Sequence, residues 1–203
     1  MPQPPTAGST ADEVLAIALG KLAPRPDEVF ADIGCGSGKV SIAAAPLARE
    51  VWAIDRRPEA IAWAREQARA AGAVNPAKAG RPADVEKYPA LRDATSVGNI
   101  RFLDGEAPGA LAGLPAPDSA FIGGSGNLAA VIGDLAARGT KRLVVSCVRV
   151  ETLSTAISAM RDLGIFREAL LLQVARSRDL AGGTMFTPGN PVYLVIGGAE
   201  PCS

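Results

Sequence analysis

Asp32-Ile33-Gly34-Cys35-Gly36-Ser37-Gly38 sets a carboxylate beside glycines at alternate positions, directly after the apolar run Val29-Phe30-Ala31. Glycine lets a backbone turn sharply and lie against a ligand, because a Cβ would clash or forbid positive φ. An apolar, alanine-rich segment follows and reads as helix. A strand, such a turn and a helix N-terminus make a cradle for a nucleotide cofactor at the carboxyl end of a parallel strand. Two versions of that cradle are excluded. Gly38-Lys39 imitates the end of a P-loop, but Ile33 stands where its first glycine belongs and Val40 replaces the hydroxyl that holds magnesium. The dinucleotide fingerprint needs a glycine or alanine at the position of Lys39, which is too long for close helix–strand packing.

What remains, Gly-x-Gly-x-Gly preceded by an acid, is the pattern of S-adenosylmethionine-dependent methyltransferases. Asp32 then suits the cationic amino group and sulfonium region of that cofactor. Asp55 closes the next apolar run about twenty residues on, where a ribose-binding acid is expected. It also suits a cap for the helix beginning near Pro58, and the glycine turn upstream favours the ribose role. Asp104-Gly105-Glu106-Ala107 offers an acid and backbone amides to an adenine, or is a plain turn. Gly123-Gly124-Ser125-Gly126 follows a further apolar run. It lacks the Asn/Asp-Pro-Pro-aromatic loop of amine methyltransferases and the Pro-Cys loop of cytosine-carbon methyltransferases. It either leaves room for a bulky, flat substrate or is a flexible turn.

These loops need a scaffold, and the chain alternates strand and helix signals. Helices are expected over 11–22, after the first strand through Leu47, and over 58–71, 127–138 and 151–163, with a short one around 107–111. Thr10 is the expected N-cap of the first, with Glu13 at the capping-box position. Strands are expected over 29–33, 51–55, 100–103, 119–122 and 142–148. Two β-rich segments, 166–175 and 191–196, are expected to pair antiparallel. This is an α/β pattern: a Rossmann-like, doubly wound, mostly parallel sheet with an antiparallel last strand, the class I methyltransferase fold. One domain over 1–203 is expected, with an N-terminal segment and helix (1–22) and an irregular insertion at 75–98.

Composition narrows the partners. The 21 basic and 21 acidic residues cancel, which leaves no electrostatic footprint for general nucleic-acid binding. Histidine is absent and Cys35, Cys147 and Cys202 lack metal-ligand spacing, so no metal is expected. Cys35 reads as packing within the turn rather than as a nucleophile. The sparse cysteines suit a reducing cytoplasm. The proline-rich start is no signal peptide, and no run reaches the length of a membrane span.

In order along the chain stand Gly8-Ser9-Thr10-Ala11-Asp12-Glu13-Val14, the glycine turn, Ala53-Ile54-Asp55-Arg56-Arg57-Pro58-Glu59-Ala60 and Ile122-Gly123-Gly124-Ser125-Gly126. Ala175-Arg176-Ser177-Arg178, Gly183-Thr184-Met185 and Asn190-Pro191 follow. With these elements the chain resembles the decarboxylating precorrin methyltransferases of cobalamin biosynthesis. The closer form is the stand-alone cobalt-precorrin-6B C(15)-methyltransferase, and the C-terminal half of precorrin-6Y methyltransferase is the related one. The resemblance implies S-adenosyl-L-methionine as methyl donor, held by Thr10, the glycine turn from Gly34 to Gly38, Asp55 and Ala107. It implies a cobalt-precorrin tetrapyrrole as substrate and a homo-oligomer, a tetramer among the possibilities. Arg176 and Arg178, with Arg149, are candidate clamps for substrate carboxylates, or charges on a solvated face. No general base is identified. Two alternatives stay open: a methyltransferase acting on RNA or protein, and a cofactor-binding module without catalysis.

Overall fold

Parallel strands buried on both faces need near-continuous apolar sequence, and the chain supplies it in β1 (Val29–Ile33) and β2 (Glu50–Asp55), which are buried along their whole lengths. A computed structural model describes residues 10–72, 94–124 and 126–199. Around β1 and β2 it places α1 (Asp12–Leu22), α2 (Lys39–Ala44), α3 (Pro58–Ala70), β3 (Thr95–Val97), β4 (Ile100–Asp104) and β5 (Ser119–Ile122). Then come α4 (Leu128–Ala137), β6 (Arg142–Cys147), α5 (Val150–Asp162), β7 (Phe166–Leu172), β8 (Ala175–Leu180), β9 (Gly183–Pro188) and β10 (Val192–Gly197). The main sheet runs β3-β4-β2-β1-β5-β6-β10-β7, and β8 and β9 form a separate ribbon. From β4 to β6 the pairing is parallel, whereas β10 runs antiparallel to both β6 and β7. The expected doubly wound, mostly parallel sheet is therefore what forms.

Period-two alternation divides the interior into two layers. Phe30, Val51 and Ala53 pack with Val14 and Ala18 of α1, Val40 and Ala44 of α2, and Ala64 of α3. Val29, Ala31, Ile33, Trp52 and Ile54 pack on the opposite side with Leu128, Val131 and Ile132 of α4 and Met160 of α5. The chain leaves β1 toward β2 with helices on one face and reaches β5 with helices on the other. The switch point between β1 and β5 is where a ligand crevice belongs in such a sheet.

Several expected boundaries shift for local reasons. Helix α1 starts at Asp12 with Ala11 as its cap and no side-chain cap bond, so Thr10 does not cap it. The Thr10 carbonyl is held instead by Lys39 Nζ at 2.7 Å. Helix α2 ends at Ala44 rather than near residue 47, since Pro46 has no N–H to give the Ile42 carbonyl. The Asn99 side-chain amide then takes up the loose carbonyls of Ala45 and Ala48 at 2.9 and 3.0 Å. The expected short helix around 107–111 is a single 3-10 turn, Gly109–Leu111.

The expected irregular insertion at 75–98 lies outside the described residues as far as 93. Its last residues form β3, a strand antiparallel to β4 with Val97 opposite Ile100. Only Val97 of β3 is buried, so no hydrophobic period marked it. The same cause hid β8 and β9, a hairpin exposed along almost its whole length. Its turn, Ala181-Gly182, has positive φ at both residues (47° and 81°), as tight hairpins require.

A buried ion pair closes the opposite edge of the sheet. Arg142 pairs with Glu28, and both side chains are below 5% exposed (2% and 4%). Arg142 Nε also donates to the Leu22 carbonyl at 2.7 Å, tying the end of α1 to the start of β6.

Candidate active site

The glycine turn is built against two neighbouring strands. Gly34 and Cys35 both donate to the Ile54 carbonyl, at 2.8 and 3.0 Å, which fixes the turn to β2. Gly123 donates to the Ile33 carbonyl at 2.8 Å, which brings the loop after β5 against it. Each glycine has its own reason to be one. A Cβ on Gly34 would stand 2.7 Å from the Gly124 carbonyl oxygen, and one on Gly38 would stand 2.8 Å from Ala64 Cβ of α3. Gly36, at φ +52°, meets nothing closer than 3.9 Å, so its face is bare.

That bare face opens into a cavity of about 350 Å³ at the switch point. Most residues singled out in the sequence meet there. From the turn come Asp32, Gly34, Cys35, Gly36 and Ser37, and from the segment before α1 comes Thr10. Asp55, Gly105, Glu106 and Ala107 follow from the ends of β2 and β4, and Gly123, Gly124 and Gly126 from the loop after β5. Ser125 lies outside the described residues. Gly38 does not line the cavity, because its α-carbon turns toward α3. Sequence reasoning missed Lys39, Arg56 and Arg57 as lining residues. The place of Arg56 and Arg57 directly after a strand-end acid was the signal available.

The acids differ in state. Asp32 is fully buried; its Oδ2 accepts from the Ser41 hydroxyl, and its Oδ1 has no hydrogen-bond partner. Burial pushes its carboxyl up to about 7, against the pull of the Ser41 bonds. Asp55 is 4% exposed and accepts from the Gly36 amide at 3.0 Å and from Arg57. Burial opposes its charge, but these bonds outweigh that and hold it below the ordinary carboxylate value. The Cys35 thiol is driven well up by burial and then by the neighbouring Asp32 and Asp55, so it stays protonated.

Cations close the rim. Lys39 Nζ joins the Thr10 carbonyl to Asp12 Oδ1, 2.7 Å from each, and thereby holds the start of α1 at the cavity wall. Arg56 reaches Glu106 at 3.3 Å. The arginines expected to clamp carboxylates lie elsewhere. Arg176 and Arg178 stand on β8, bonded to Glu13 and to Thr187 Oγ1, each at 2.9 Å. Arg149, after β6, is within 3.4 Å of Glu151 and largely exposed. Among the described residues no group of His, Cys, Asp and Glu is arranged to hold a metal, and no helix is long and apolar enough to cross a membrane.

Comparison with known proteins places this geometry among relatives. A family model described as a precorrin methyltransferase domain matches residues 8–196. A Methanosarcina acetivorans protein named "probable cobalt-precorrin-6B C(15)-methyltransferase (decarboxylating)" is 37% identical over 197 residues, covering 95% of this chain and 94% of its own. A Halobacterium salinarum protein of the same name is 36% identical, covering 98% and 94%. The crystal structure of precorrin 8W decarboxylase from Methanobacterium thermoautotrophicum superposes with a TM-score of 0.78 at 32% identity, covering 95% of this chain and 92% of that one. A precorrin-6y C5,15-methyltransferase from Geobacter metallireducens superposes at 0.76 with 30% identity, covering 94% and 90%.

Proposed function

Because the chain belongs to the precorrin methyltransferase family, we propose that it methylates carbon 15 of cobalt-precorrin-6B, using S-adenosylmethionine. The acetate side chain at ring carbon 12 loses carbon dioxide in the same conversion, which gives cobalt-precorrin-7 in cobalamin biosynthesis. One observation carries the reading: a chain 37% identical to a protein so named, over 95% of its length, has its glycine cavity at the switch point of the sheet.

The cavity fits that methyl donor. The buried, unpartnered Asp32 Oδ1 gives a cationic amino group or sulfonium a counter-charge. The bare face of Gly36 lets a ligand lie on the backbone, flanked by Thr10, Cys35 and Ser37. Asp55 would take the ribose hydroxyls, and Gly105, Glu106 and Ala107, which line the same cavity, would meet an adenine. Gly34 and Gly38 contribute through packing that shapes the turn. The donor supplies an electrophilic methyl group on a sulfonium.

The residues around it would orient a flat polycarboxylate ring and exclude water, which accounts for much of the catalysis when the attacking carbon is already electron-rich. Histidine is absent, and none is needed for such an attack. In the decarboxylation, the electrons of the broken carbon–carbon bond flow into the macrocycle. Gly124 has no atom within 4 Å of a Cβ position and leaves room for the ring, with Gly123 and Gly126 also lining the cavity; Ser125 stays a proposed substrate contact on its place in the sequence alone. Arg149, Arg176 and Arg178 remain the proposed partners of peripheral carboxylates. A homo-oligomer is proposed as well, supported by the exposure of Leu180 and Phe186 on the hairpin. A single-chain mass in light scattering would remove that part.

The test is mass spectrometry of the purified protein incubated with S-adenosylmethionine and cobalt-precorrin-6B. The expected product has gained one methyl group and lost one carbon dioxide. A methylated product that keeps its carboxylate would remove the decarboxylation. No change, with cofactor binding verified by calorimetry, would overturn the tetrapyrrole reading.

A further inference from the structure

Asp55 is not free to accept a ligand. Its Oδ1 accepts from the Arg57 amide and Arg57 Nε, both at 3.0 Å. Its Oδ2 accepts from the Gly36 amide at 3.0 Å and from Arg57 Nη2 at 3.1 Å. A carboxylate offers about four acceptor sites, and each of these has a donor. Two of the donors are backbone amides and belong to the fold: one holds the glycine turn and the other opens α3. The remaining two sit on a side chain that is 32% exposed.

The position of that side chain is informative. Arg57 lines the cavity, and its Nη2 lies 3.9 Å from where a Cβ of Gly36 would stand. The guanidinium therefore stands beside the bare face of Gly36. Two N–H groups side by side on a carboxylate also match the way two neighbouring hydroxyls of a ribose would donate to it.

We propose that Arg57 is an internal ligand of the ribose subsite, seated on Asp55 in the cofactor-free protein and exchanged for the two ribose hydroxyls when the cofactor binds. The proposal rests on the reading that Asp55 takes the ribose. Before binding, the guanidinium keeps a nearly buried carboxylate paired and the glycine turn anchored. On binding, its displacement opposes the cofactor, so Arg57 sets the affinity of a site whose other contacts are built in.

Calorimetry with S-adenosylhomocysteine, adenosine and 2′,3′-dideoxyadenosine tests this on the full chain. Arg57→Ala is expected to bind S-adenosylhomocysteine and adenosine about tenfold more tightly, the size of one charge-assisted hydrogen bond. It should gain nothing toward dideoxyadenosine, which has no hydroxyls to exchange. Arg57→Gln keeps an uncharged amide donor group and is expected to gain less; it carries the test if the alanine variant melts below the working temperature. Unchanged or weaker binding of S-adenosylhomocysteine by both variants would overturn the proposal. Asp55→Asn, made in the Arg57→Ala background where no guanidinium competes, separates the two readings. If it leaves adenosine affinity unchanged, Asp55 does not take the ribose; if it weakens adenosine while the Arg57 variants gain nothing, only the internal ligand is overturned.

Discussion

Asp32 and Asp55 show how differently one fold treats two carboxylates at neighbouring strand ends. Asp55 is paired and charged; Asp32 is buried with one oxygen unpartnered and its carboxyl raised from 3.8 to about 7. Between those values the folded Asp32 holds a proton that the unfolded chain has released. It therefore makes the ligand-free protein less stable as pH rises across that window. A cationic ligand reverses the preference by favouring the ionised form. Cofactor affinity is expected to rise several-fold between about pH 6 and about pH 8, with a proton released on binding below about pH 7. Calorimetry in buffers of different protonation enthalpy measures both, and Asp32→Asn should flatten them. If wild-type affinity ignores pH over that range, Asp32 does not face the cation. The acids were legible in sequence as strand-end carboxylates, but their partners were not. Ser41 and Arg57 reach them through side-chain directions that spacing does not specify.

At the scale of elements, the glycine turn divides its duties. Gly34 faces the β5 loop, Gly38 faces α3, and Gly36 faces the cavity. Gly34→Ala puts a Cβ 2.7 Å from the Gly124 oxygen at φ +77°, and is expected to cost roughly 2–3 kcal/mol of stability. Gly36→Ala meets no such obstacle and should cost about 1 kcal/mol from its backbone conformation alone, while weakening cofactor binding several-fold. Thermal denaturation paired with calorimetry distinguishes them; equal stability losses would show that the turn is not divided this way. Positions and count of these glycines were legible from the sequence, and their separate duties were not. Those duties depend on Ala64 and Gly124, which the fold brings in from other elements. The β8–β9 hairpin was not legible as a hairpin at all, since strands exposed on both faces carry no hydrophobic alternation.

Across the whole molecule, stability and binding are assigned to opposite edges of the sheet. The cavity lies at the carboxyl ends of β1, β2, β4 and β5, whereas the Glu28–Arg142 pair lies at the start of β1 and β6. Arg142→Leu leaves the buried Glu28 carboxylate only the exposed Arg25, 3.7 Å away, in place of its buried cation and is expected to cost about 3–5 kcal/mol. Cofactor affinity of the folded fraction should stay unchanged. Chemical denaturation measures the first and calorimetry the second; a loss below about 1 kcal/mol would mean that Glu28 finds water or another partner. What the sequence by itself determined was the strand–helix alternation and the cradle loops at the ends of strands. Fully buried parallel strands demand unbroken apolar runs, and close backbone approaches demand glycine. Only the tertiary structure decided which loops meet at the switch point, that Lys39 rather than a cap bond holds Thr10, and that Arg57 sits on Asp55. The first two depend on groups that the sheet order brings together, which chain spacing does not encode; the third joins residues two apart and turns on a side-chain direction.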